Sequence, residues 1–346
     1  MSRNLILLFD GTWNKRSDET NVTRMRRSIE SRGEDDPQQP LFYDEGVGTH
    51  WYDKLPGAFG QGLSENIRQG YAWLAKKHQE GDPIFVFGFS RGAYTARSLV
   101  GLVRKCGILK APDEDRVDKA YDLYRNRDVA PDHSEAKRFR AENSVETRVR
   151  FIGVWDTVGA LGIPATGFLF SRDYYRWHDT ELSKIVDFAY HAIAVDERRK
   201  DYGVTVWTRA KPENKEVEQR WFVGAHANVG GGYDKKPKDL LPNPPLRWIQ
   251  DKAEAAGLKL RHKVEVGSAD HLAEVNNSFR EFMFGIYRWF KKERHRRVGS
   301  GVNETIDESV WDRCRRFPGY LSPTLKKHPD APSAERPAPV RGAPGR

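Results

Sequence analysis

Short apolar runs punctuate the first two-thirds of the chain, and each of them ends in small or polar residues. The runs are continuous rather than alternating, which is typical of parallel strands whose two faces are both covered by helices. Residues 64–79 have helical spacing and begin at a serine suited to cap a helix. The pattern predicts an α/β fold with a mostly parallel central sheet flanked by helices. We place its strands near residues 4–10, 84–90, 149–156, 188–196 and 218–226.

The pattern changes after Tyr233, where a proline-rich connection leads into a more helical region. Two helical stretches are predicted there, near residues 245–256 and 269–294. The second stretch carries an apolar stripe at helical spacing, which is typical of a helix packed on a core. The members of the stripe are Phe279, Phe282, Met283, Ile286, Tyr287 and Phe290.

The chain has 346 residues, of which 38% are hydrophobic, so it can bury a sizeable core. We predict one domain over residues 1–325, with its core in residues 1–235 and additional C-terminal helices in residues 236–325. The tail, residues 326–346, is rich in proline and arginine and is expected to be disordered.

The net charge of +9 favours an anionic partner, such as nucleic acid, a phospholipid surface or an acidic substrate. The sequence has no aromatic-basic module of the kind that binds nucleic acid, so we expect no nucleic-acid partner. No apolar run approaches the ~20 residues of a membrane helix, and the first residues lack the cleavage site of a signal peptide. The only cysteines, Cys106 and Cys314, fit a reducing compartment. We therefore expect a protein that is cytoplasmic in the cell that makes it.

Three of the predicted strands end in the residue types of a hydrolase triad, in the order Ser90, Asp156, His226. A serine hydroxyl needs an imidazole to take its proton, and the imidazole needs a carboxylate to fix its tautomer. Ser90 lies in the string Gly-Phe-Ser-Arg-Gly between a strand and a helix, which is the context of a nucleophile turn. Asp196 also follows a predicted strand and is the alternative acid, although the charges after it favour a structural ion pair.

The loops around the predicted triad supply further site candidates. The backbone N–H of Arg91 is the first expected oxyanion donor, and Gly11 or Thr12 is the best choice for the second. Asp10 and Asn14 are expected to support the adjoining loop. Two oxygen ligands fall short of a Mg²⁺ or Ca²⁺ site, so we predict neither a metal nor a cofactor.

Seven motifs in order carry a resemblance to a known family. They are FDGTWN, YDEGVGT, GFSRGAYTAR, FIGVWDTVGALG, YHAIAVDERR, WFVGAHANVGGGY and ESVWDRCRRFPGYLSP. Together they resemble the DUF2235 family, the catalytic domain of type VI secretion lipase effectors of the Tle1 type. The resemblance implies an α/β-hydrolase fold, a Ser-Asp-His triad with the aspartate of the WDTVGA motif as its acid, and phospholipase activity on bacterial membranes.

One departure from the family pattern lies next to the predicted histidine. The motif usually has a carboxylate two positions after the histidine, where this chain has Asn228. Asparagine replaces a loop-capping carboxylate well, because its side chain also accepts from backbone N–H groups. A carboxylate that tunes the histidine or holds a cation would not be replaced so well. The resemblance also implies export by type VI secretion, with a secretion spike and an immunity protein as partners.

The stretch from residue 279 to 297 is the predicted contact with an anionic membrane surface, with Phe284, Trp289, Lys291 and Lys292 as contact residues. It joins aromatic residues to the basic cluster KKERHRR, and a helix packed on the core with a charged end is the alternative. The leading interpretation is a serine hydrolase that cleaves a carboxylic ester in a lipid through an acyl-enzyme. The alternatives are a non-catalytic partner-binding protein on a hydrolase scaffold, and a soluble carboxylesterase or thioesterase.

Overall fold

The computed structural model describes residues 3–11, 19–46, 56–159, 180–233, 240–281, 293–326 and 328–331. Its strands are β1 (Leu5–Phe9), β2 (Leu41–Asp44), β3 (Ile84–Phe89), β4 (Ile108–Leu109), β5 (Ser144–Val145), β6 (Val149–Trp155), β7 (Val186–Ala194), β8 (Glu216–Phe222) and β9 (Glu304–Ile306). Its α-helices are α1 (Asn21–Ser28), α2 (Pro56–Lys77), α3 (Arg91–Cys106), α4 (Glu114–Arg125), α5 (Ser134–Asn143), α6 (His226–Gly230), α7 (Asn243–Ala255), α8 (Ser278–Glu281) and α9 (Glu308–Arg316). Two short 3₁₀ helices span Lys200–Tyr202 and Asp270–Leu272.

Seven of the described strands form one sheet in the order β2-β1-β3-β6-β7-β8-β9. All of its neighbouring strands run parallel, while β4 and β5 form a separate antiparallel pair. The chain order reverses at β1, since β2 lies on one side of it and β3 on the other. Loops diverge at such a switch point and leave a crevice at the carboxyl ends of the strands. The sheet and its flanking helices confirm the predicted α/β-hydrolase-like class.

The two faces of the sheet bury different side chains of the same strands. Leu5, Leu7 and Phe9 of β1 pack in one core cluster with α2 and α3. Ile6 and Leu8 point to the opposite cluster, which α1 and α7 cover. Successive side chains of a strand alternate between faces, so strands covered on both faces read as continuous apolar runs. This burial is why the first runs of the sequence were recognisable as strands.

The central strands end at the same level of the sheet. The register pairs Phe89 at the end of β3 with Trp155 at the end of β6. Trp155 in turn pairs with Ala192 near the end of β7. The residues that follow β3 and β6, Ser90 and Asp156, are therefore neighbours on one edge. The Ser90 N–H donates to the Trp155 carbonyl over 3.0 Å, which ties the two strand ends together.

The C-terminal part contains a strand that the hydrophobic pattern did not predict. Strand β9 has only three residues and pairs parallel to β8, with Ile306 opposite Trp221. A three-residue strand that contains a glutamate gives no apolar run to recognise. The helix predicted over 269–294 begins later than expected, at Ser278, and residues 282–292 lie outside the described part of the chain. None of the described helices has the length and apolar character needed to cross a membrane.

Candidate active site

Ser90 occupies a sharp turn between β3 and α3. Its backbone has φ 58° and ψ −118°, a left-handed conformation that a non-glycine residue rarely adopts. The flanking glycines are required by close packing. A Cβ on Gly92 would lie 2.1 Å from the Phe9 carbonyl oxygen, and one on Gly88 would lie 2.5 Å from the Gly92 carbonyl oxygen. The turn therefore presses the start of α3 against the end of β1 and presents Ser90 at the crevice.

Ser90, His226 and Asp156 form one chain of hydrogen bonds. The Nε2 atom of His226 lies 2.8 Å from Ser90 Oγ. The Nδ1 atom of the same ring lies 2.5 Å from Asp156 Oδ2. All three side chains are buried, with relative exposures of 8%, 6% and 0% for Ser90, His226 and Asp156. The structure thus brings together the three residues that the strand ends predicted.

The ionisation of Asp156 determines where the protons lie in this row of hydrogen bonds. Burial alone would raise the pKa of Asp156, but the Arg296 guanidinium and the bonds from His226 and Arg296 hold it well below its usual range. An ionised carboxylate only accepts hydrogen bonds, so His226 Nδ1 carries the proton and Nε2 accepts from the Ser90 hydroxyl. Burial also lowers the pKa of His226, against the effect of Asp156, so the neutral imidazole is favoured.

Packing holds the His226 ring in this orientation. His226 is the first residue of α6, and its N–H donates to Glu197 Oε2 over 3.2 Å. The ring packs against two aromatic side chains, with centroid distances of 4.7 Å to Phe89 and 5.1 Å to Tyr202. Tyr202 is itself covered by the Arg199 guanidinium, 3.4 Å from its ring centroid. An imidazole held by these ring contacts loses little further freedom when it takes a proton from a neighbouring hydroxyl.

Arg199 and Glu197 form a second buried ion pair beside His226. Arg199 Nε donates to Glu197 Oε1 over 2.9 Å, and Arg199 Nη2 donates to Oε2 over the same distance. Ser278 of α8 also donates to Glu197 Oε1, over 3.1 Å. Burial opposes ionisation of Glu197, but the Arg199 pair lowers its pKa to about 2. The charge next to His226 is therefore compensated within the site.

Asp156 also binds Arg296, which sequence reasoning did not single out. Arg296 Nη1 donates to Asp156 Oδ1 over 2.5 Å, and Nη2 donates to Oδ2 over 2.9 Å. The Ala194 N–H adds a third contact, to Oδ1 over 2.9 Å. Arg296 belongs to the basic cluster predicted to contact a membrane, but it is only 8% exposed. In the sequence it is one of three arginines in the run KKERHRR, and nothing there distinguishes it from Arg297.

Asp196, the alternative acid, binds elsewhere. Its Oδ2 atom accepts from the Gly224 N–H over 2.9 Å and from the Tyr320 hydroxyl over 2.6 Å. These bonds tie the loop before His226 to the C-terminal part of the chain. The expected ion pair with the charges that follow Asp196 is replaced by this neutral pairing. Of the two candidate aspartates, the structure puts only Asp156 within hydrogen-bond distance of the His226 ring.

Asp10 fixes the loop that leaves β1. Its Oδ1 accepts from the Gly11 N–H over 2.7 Å, and its Oδ2 accepts from the hydroxyls of Thr20, Thr23 and Tyr43 over 2.6, 3.0 and 3.0 Å. These bonds connect the end of β1 to the start of α1 and to Tyr43 of β2, and loop support stays the predicted role of Asp10.

The Gly11 N–H, a predicted oxyanion donor, is occupied by this bond to Asp10. The reason is local, since a buried carboxylate takes the nearest backbone donor. Thr12 and Asn14, the other residues predicted on this loop, lie outside the described residues.

Arg91 begins α3 immediately after Ser90. The first N–H groups of an α-helix have no partner within the helix, so they are directed at the turn that precedes it. The positive end of the helix dipole lies at the same place. The guanidinium of Arg91 is enclosed, and burial lowers its pKa to about 10. The backbone N–H at the start of α3 is therefore suited to meet an anion at Ser90.

Asn228 holds together the loop around α6. Its Oδ1 accepts from the Ala225 N–H over 3.1 Å and from the Asn276 N–H over 3.2 Å. Its Nδ2 donates to Asn276 Oδ1 over 2.9 Å. These contacts are with loops, which is the capping role that asparagine fills as well as a carboxylate. The predicted membrane-contact residues Phe284, Trp289, Lys291 and Lys292 lie outside the described residues.

The chain is similar to known proteins in both sequence and fold. A family model described as "T6SS, Phospholipase effector Tle1-like, catalytic domain" matches residues 3–252. An uncharacterized protein of Saccharomyces cerevisiae is 29% identical over 311 residues, covering 73% of this chain and 43% of the yeast protein. A solved structure of an uncharacterized protein from Pseudomonas aeruginosa has TM-score 0.47 and 18% identity, covering 80% of this chain and 49% of that chain. A propionate-bound esterase of Thermogutta terrifontis has TM-score 0.41 and 12% identity, covering 76% and 86%.

A parallel sheet flanked by helices, with a serine on a strand-to-helix turn bonded to a buried histidine, defines the class of α/β ester hydrolases. The family model matches more than half of the chain. The chain therefore belongs to the family that this model describes, that of the Tle1-like catalytic domain. It covers less than half of the yeast protein and of the Pseudomonas chain to which it is similar.

Proposed function

We propose that the protein is a serine hydrolase that cleaves a carboxylic ester in a lipid. Ser90 is the nucleophile, His226 is the general base and then the general acid, and Asp156 is the acid of the triad. The observation that carries the proposal is the hydrogen-bond chain from Ser90 Oγ through both ring nitrogens of His226 to Asp156 Oδ2. A non-catalytic scaffold has no need of an imidazole ordered in this tautomer at a strained serine.

The reaction begins with transfer of the Ser90 hydroxyl proton to His226 Nε2 as Oγ attacks the acyl carbonyl carbon. The tetrahedral intermediate collapses when the ester C–O bond breaks and the imidazolium gives its proton to the departing alcohol. The acyl group then remains bonded to Ser90 Oγ. A water molecule repeats the sequence, giving its proton to His226, releasing the carboxylic acid and restoring the serine. Asp156 stabilises the imidazolium in both halves of the reaction.

The oxyanion of each tetrahedral intermediate needs donors aimed at the place where negative charge develops. The backbone N–H of Arg91 is the first donor that we propose, because it follows the nucleophile at the start of α3. The loop after β1 is the proposed source of the second. The Gly11 N–H already donates to Asp10, so we propose the backbone N–H of Thr12 as the second oxyanion donor.

The substrate class is inferred from family membership and charge. The family description names phospholipase effectors, and the net charge of +9 favours an anionic phospholipid surface. We propose a phospholipid substrate and contact with a bacterial membrane. We also propose delivery by a type VI secretion system, with a spike protein and an immunity protein as partners. These partners rest on the family alone.

The direct test is covalent labelling by a fluorophosphonate probe, which reacts with an activated serine and needs no knowledge of the substrate. The protein should be labelled stoichiometrically, and Ser90→Ala should abolish labelling while the unfolding temperature stays within a few degrees. Ser98, buried in the same helix, is the control, since Ser98→Ala should keep the labelling. A folded protein that is not labelled would overturn the proposal.

Substrate class requires a second measurement. Hydrolysis of anionic phospholipid vesicles should exceed hydrolysis of a soluble p-nitrophenyl ester at equal ester concentration. If only the soluble ester is cleaved, the protein is a carboxylesterase and the lipid proposal is wrong.

Toxicity to bacteria is a separate test. Directing the chain to the periplasm of a bacterial host should stop growth, and Ser90→Ala should restore it.

A further inference from the structure

The guanidinium of Arg296 makes four hydrogen bonds around Asp156, the proposed triad acid. It binds both oxygens of Asp156, and the same two nitrogens also bind backbone carbonyls. Nη1 donates to the Ala194 oxygen over 2.9 Å, and Nη2 donates to the Tyr202 oxygen over 2.7 Å. Ala194 ends β7, and Tyr202 ends the 3₁₀ helix that packs on His226. The planar fork therefore joins Asp156 to the two elements that border the imidazole.

Two carbonyl partners fix the guanidinium independently of Asp156. A lysine has three donors on a single nitrogen and cannot reproduce four bonds shared between two nitrogens. The carboxylate in turn accepts from Arg296, from the Ala194 N–H and from His226. With those bonds made, Asp156 Oδ2 has one orientation in which it meets His226 Nδ1. A surface ion pair would not define the carboxylate in this way.

We propose that Arg296 is a positioning residue, which orients Asp156 toward His226 and opposes protonation of the imidazole. The inference rests on the proposed function, because it assigns Arg296 a role through the triad acid. Arg296 lies beyond residues 3–252, the part matched by the family model. The C-terminal part of the chain therefore contributes to a site whose proposed triad comes from the matched part.

The charges around His226 determine the sign of the electrostatic effect. Asp156 and Glu197 favour the imidazolium, while Arg199 opposes it. Each carboxylate is paired with one arginine, Asp156 with Arg296 and Glu197 with Arg199, so Arg296 acts on the imidazole by offsetting the charge of Asp156. Among the described residues, further titratable side chains nearby include Tyr202 against the ring, His191 in β7, and Arg91, whose charge acts on Tyr202. Burial lowers the pKa of His191 to about 3, so it stays neutral through the working range. Removing the Arg296 charge leaves Asp156 uncompensated and shifts the pKa of His226 upward.

The experiment measures the second-order rate of fluorophosphonate labelling against pH in the full-length chain. The rate needs neutral His226, so its fall at low pH reports the pKa of that histidine in the free enzyme. Three variants are compared with the wild type. Arg296→Met removes the charge and the fork, Arg296→Lys keeps a charge without the fork, and Arg297→Gln removes a charge from the neighbouring exposed residue.

We expect Arg296→Met to lower the plateau rate at least tenfold and to move the acid limb upward by about one pH unit. Arg296→Lys should keep the limb near that of the wild type and still lose most of the plateau rate. Arg297→Gln should match the wild type in its plateau rate and in the pH of its acid limb. Circular dichroism checks that each variant is folded; if Arg296→Met does not fold, Arg296→Lys carries the test.

Two results would overturn the inference. One is a folded Arg296→Met with the plateau and limb of the wild type. The other is a folded Arg296→Lys with an unchanged plateau rate, since the fork would then have no role. Failure of the proposed function gives a different result, in which the wild type itself is not labelled and no pH profile exists to compare.

Discussion

Replacing Asp156 by asparagine tests the proposed acid most directly. The carboxylate accepts hydrogen bonds from His226, from Arg296 and from the Ala194 N–H. An asparagine has one carbonyl oxygen and one NH₂ group, so in either orientation the NH₂ faces a donor. If it faces His226, the ring must protonate Nε2 and can no longer accept the Ser90 proton. If the NH₂ group faces Arg296, two buried donors, the amide and the guanidinium, point at each other without an acceptor.

The magnitude follows from the tautomer. Asparagine in place of the triad aspartate of chymotrypsin-like proteases lowers kcat by about 10⁴, because the histidine is held in the wrong tautomer. That factor corresponds to about 5 kcal/mol of activation free energy. Asp196→Asn is the matched control, because it removes the same charge from the other candidate acid. The asparagine oxygen can still accept from the Gly224 N–H and the Tyr320 hydroxyl, so we expect a stability loss of about 1 kcal/mol and little change in rate.

The assay is the fluorophosphonate labelling rate, supported by kcat/KM on a p-nitrophenyl ester, with unfolding by urea to check stability. Asp156→Asn should lose labelling by several orders of magnitude while Asp196→Asn stays near the wild type. Near-normal labelling of folded Asp156→Asn would refute the argument. An equal loss in both variants would refute it too, because the two carboxylates would then share a role that the hydrogen bonds assign to one.

Two further predictions concern the turn and the histidine. Gly92→Ala should destabilise the fold by about 3 kcal/mol in urea unfolding, because the new Cβ would lie 2.1 Å from the Phe9 carbonyl oxygen. Gly319→Ala is the control and should leave the stability unchanged, because a Cβ at that position has no atom within 4 Å. Equal stability of the two variants would show that the close approach is absent in solution. The lowered pKa of His226 keeps the base neutral under mild acid, so labelling should stay near its plateau below pH ~6.5, the ordinary imidazole value. A rate that falls already above that pH would contradict the lowered pKa.

The sequence was informative wherever one strand or turn determined the outcome. Continuous apolar runs identified the central strands, because both sheet faces are buried. Parallel strands put their carboxyl ends on one edge, so Ser90, Asp156 and His226 could be grouped from strand ends alone. The Gly-x-Ser-x-Gly string was specific only with a strand before it and a helix after it. These inferences needed local patterns and one general property of parallel sheets.

The choice between Asp156 and Asp196 could not be made in the same way. Both follow strands, and their partners are distant in sequence: Arg296 for Asp156 and Tyr320 for Asp196. The bond from the Gly11 N–H to Asp10 was not foreseen for a related reason, since it depends on side-chain direction rather than on strand order. Strand β9 escaped notice because three residues carry no periodicity. Each of these features is a pairing over long sequence distance or a choice of rotamer.

Arg296 shows why a charged residue type alone did not predict surface exposure. In the sequence it is one of several basic residues between 291 and 297, and a basic cluster after aromatics favours a membrane surface. In the fold it is 8% exposed, and a buried guanidinium is tolerated only where its charge is paired and hydrogen-bonded. The acceptors of its two terminal nitrogens come from three separate segments, at Asp156, Ala194 and Tyr202. Burial of a guanidinium costs free energy, so the bonds of Arg296 to both oxygens of Asp156 support the proposed role in orienting that carboxylate more than a role in the stability of the fold.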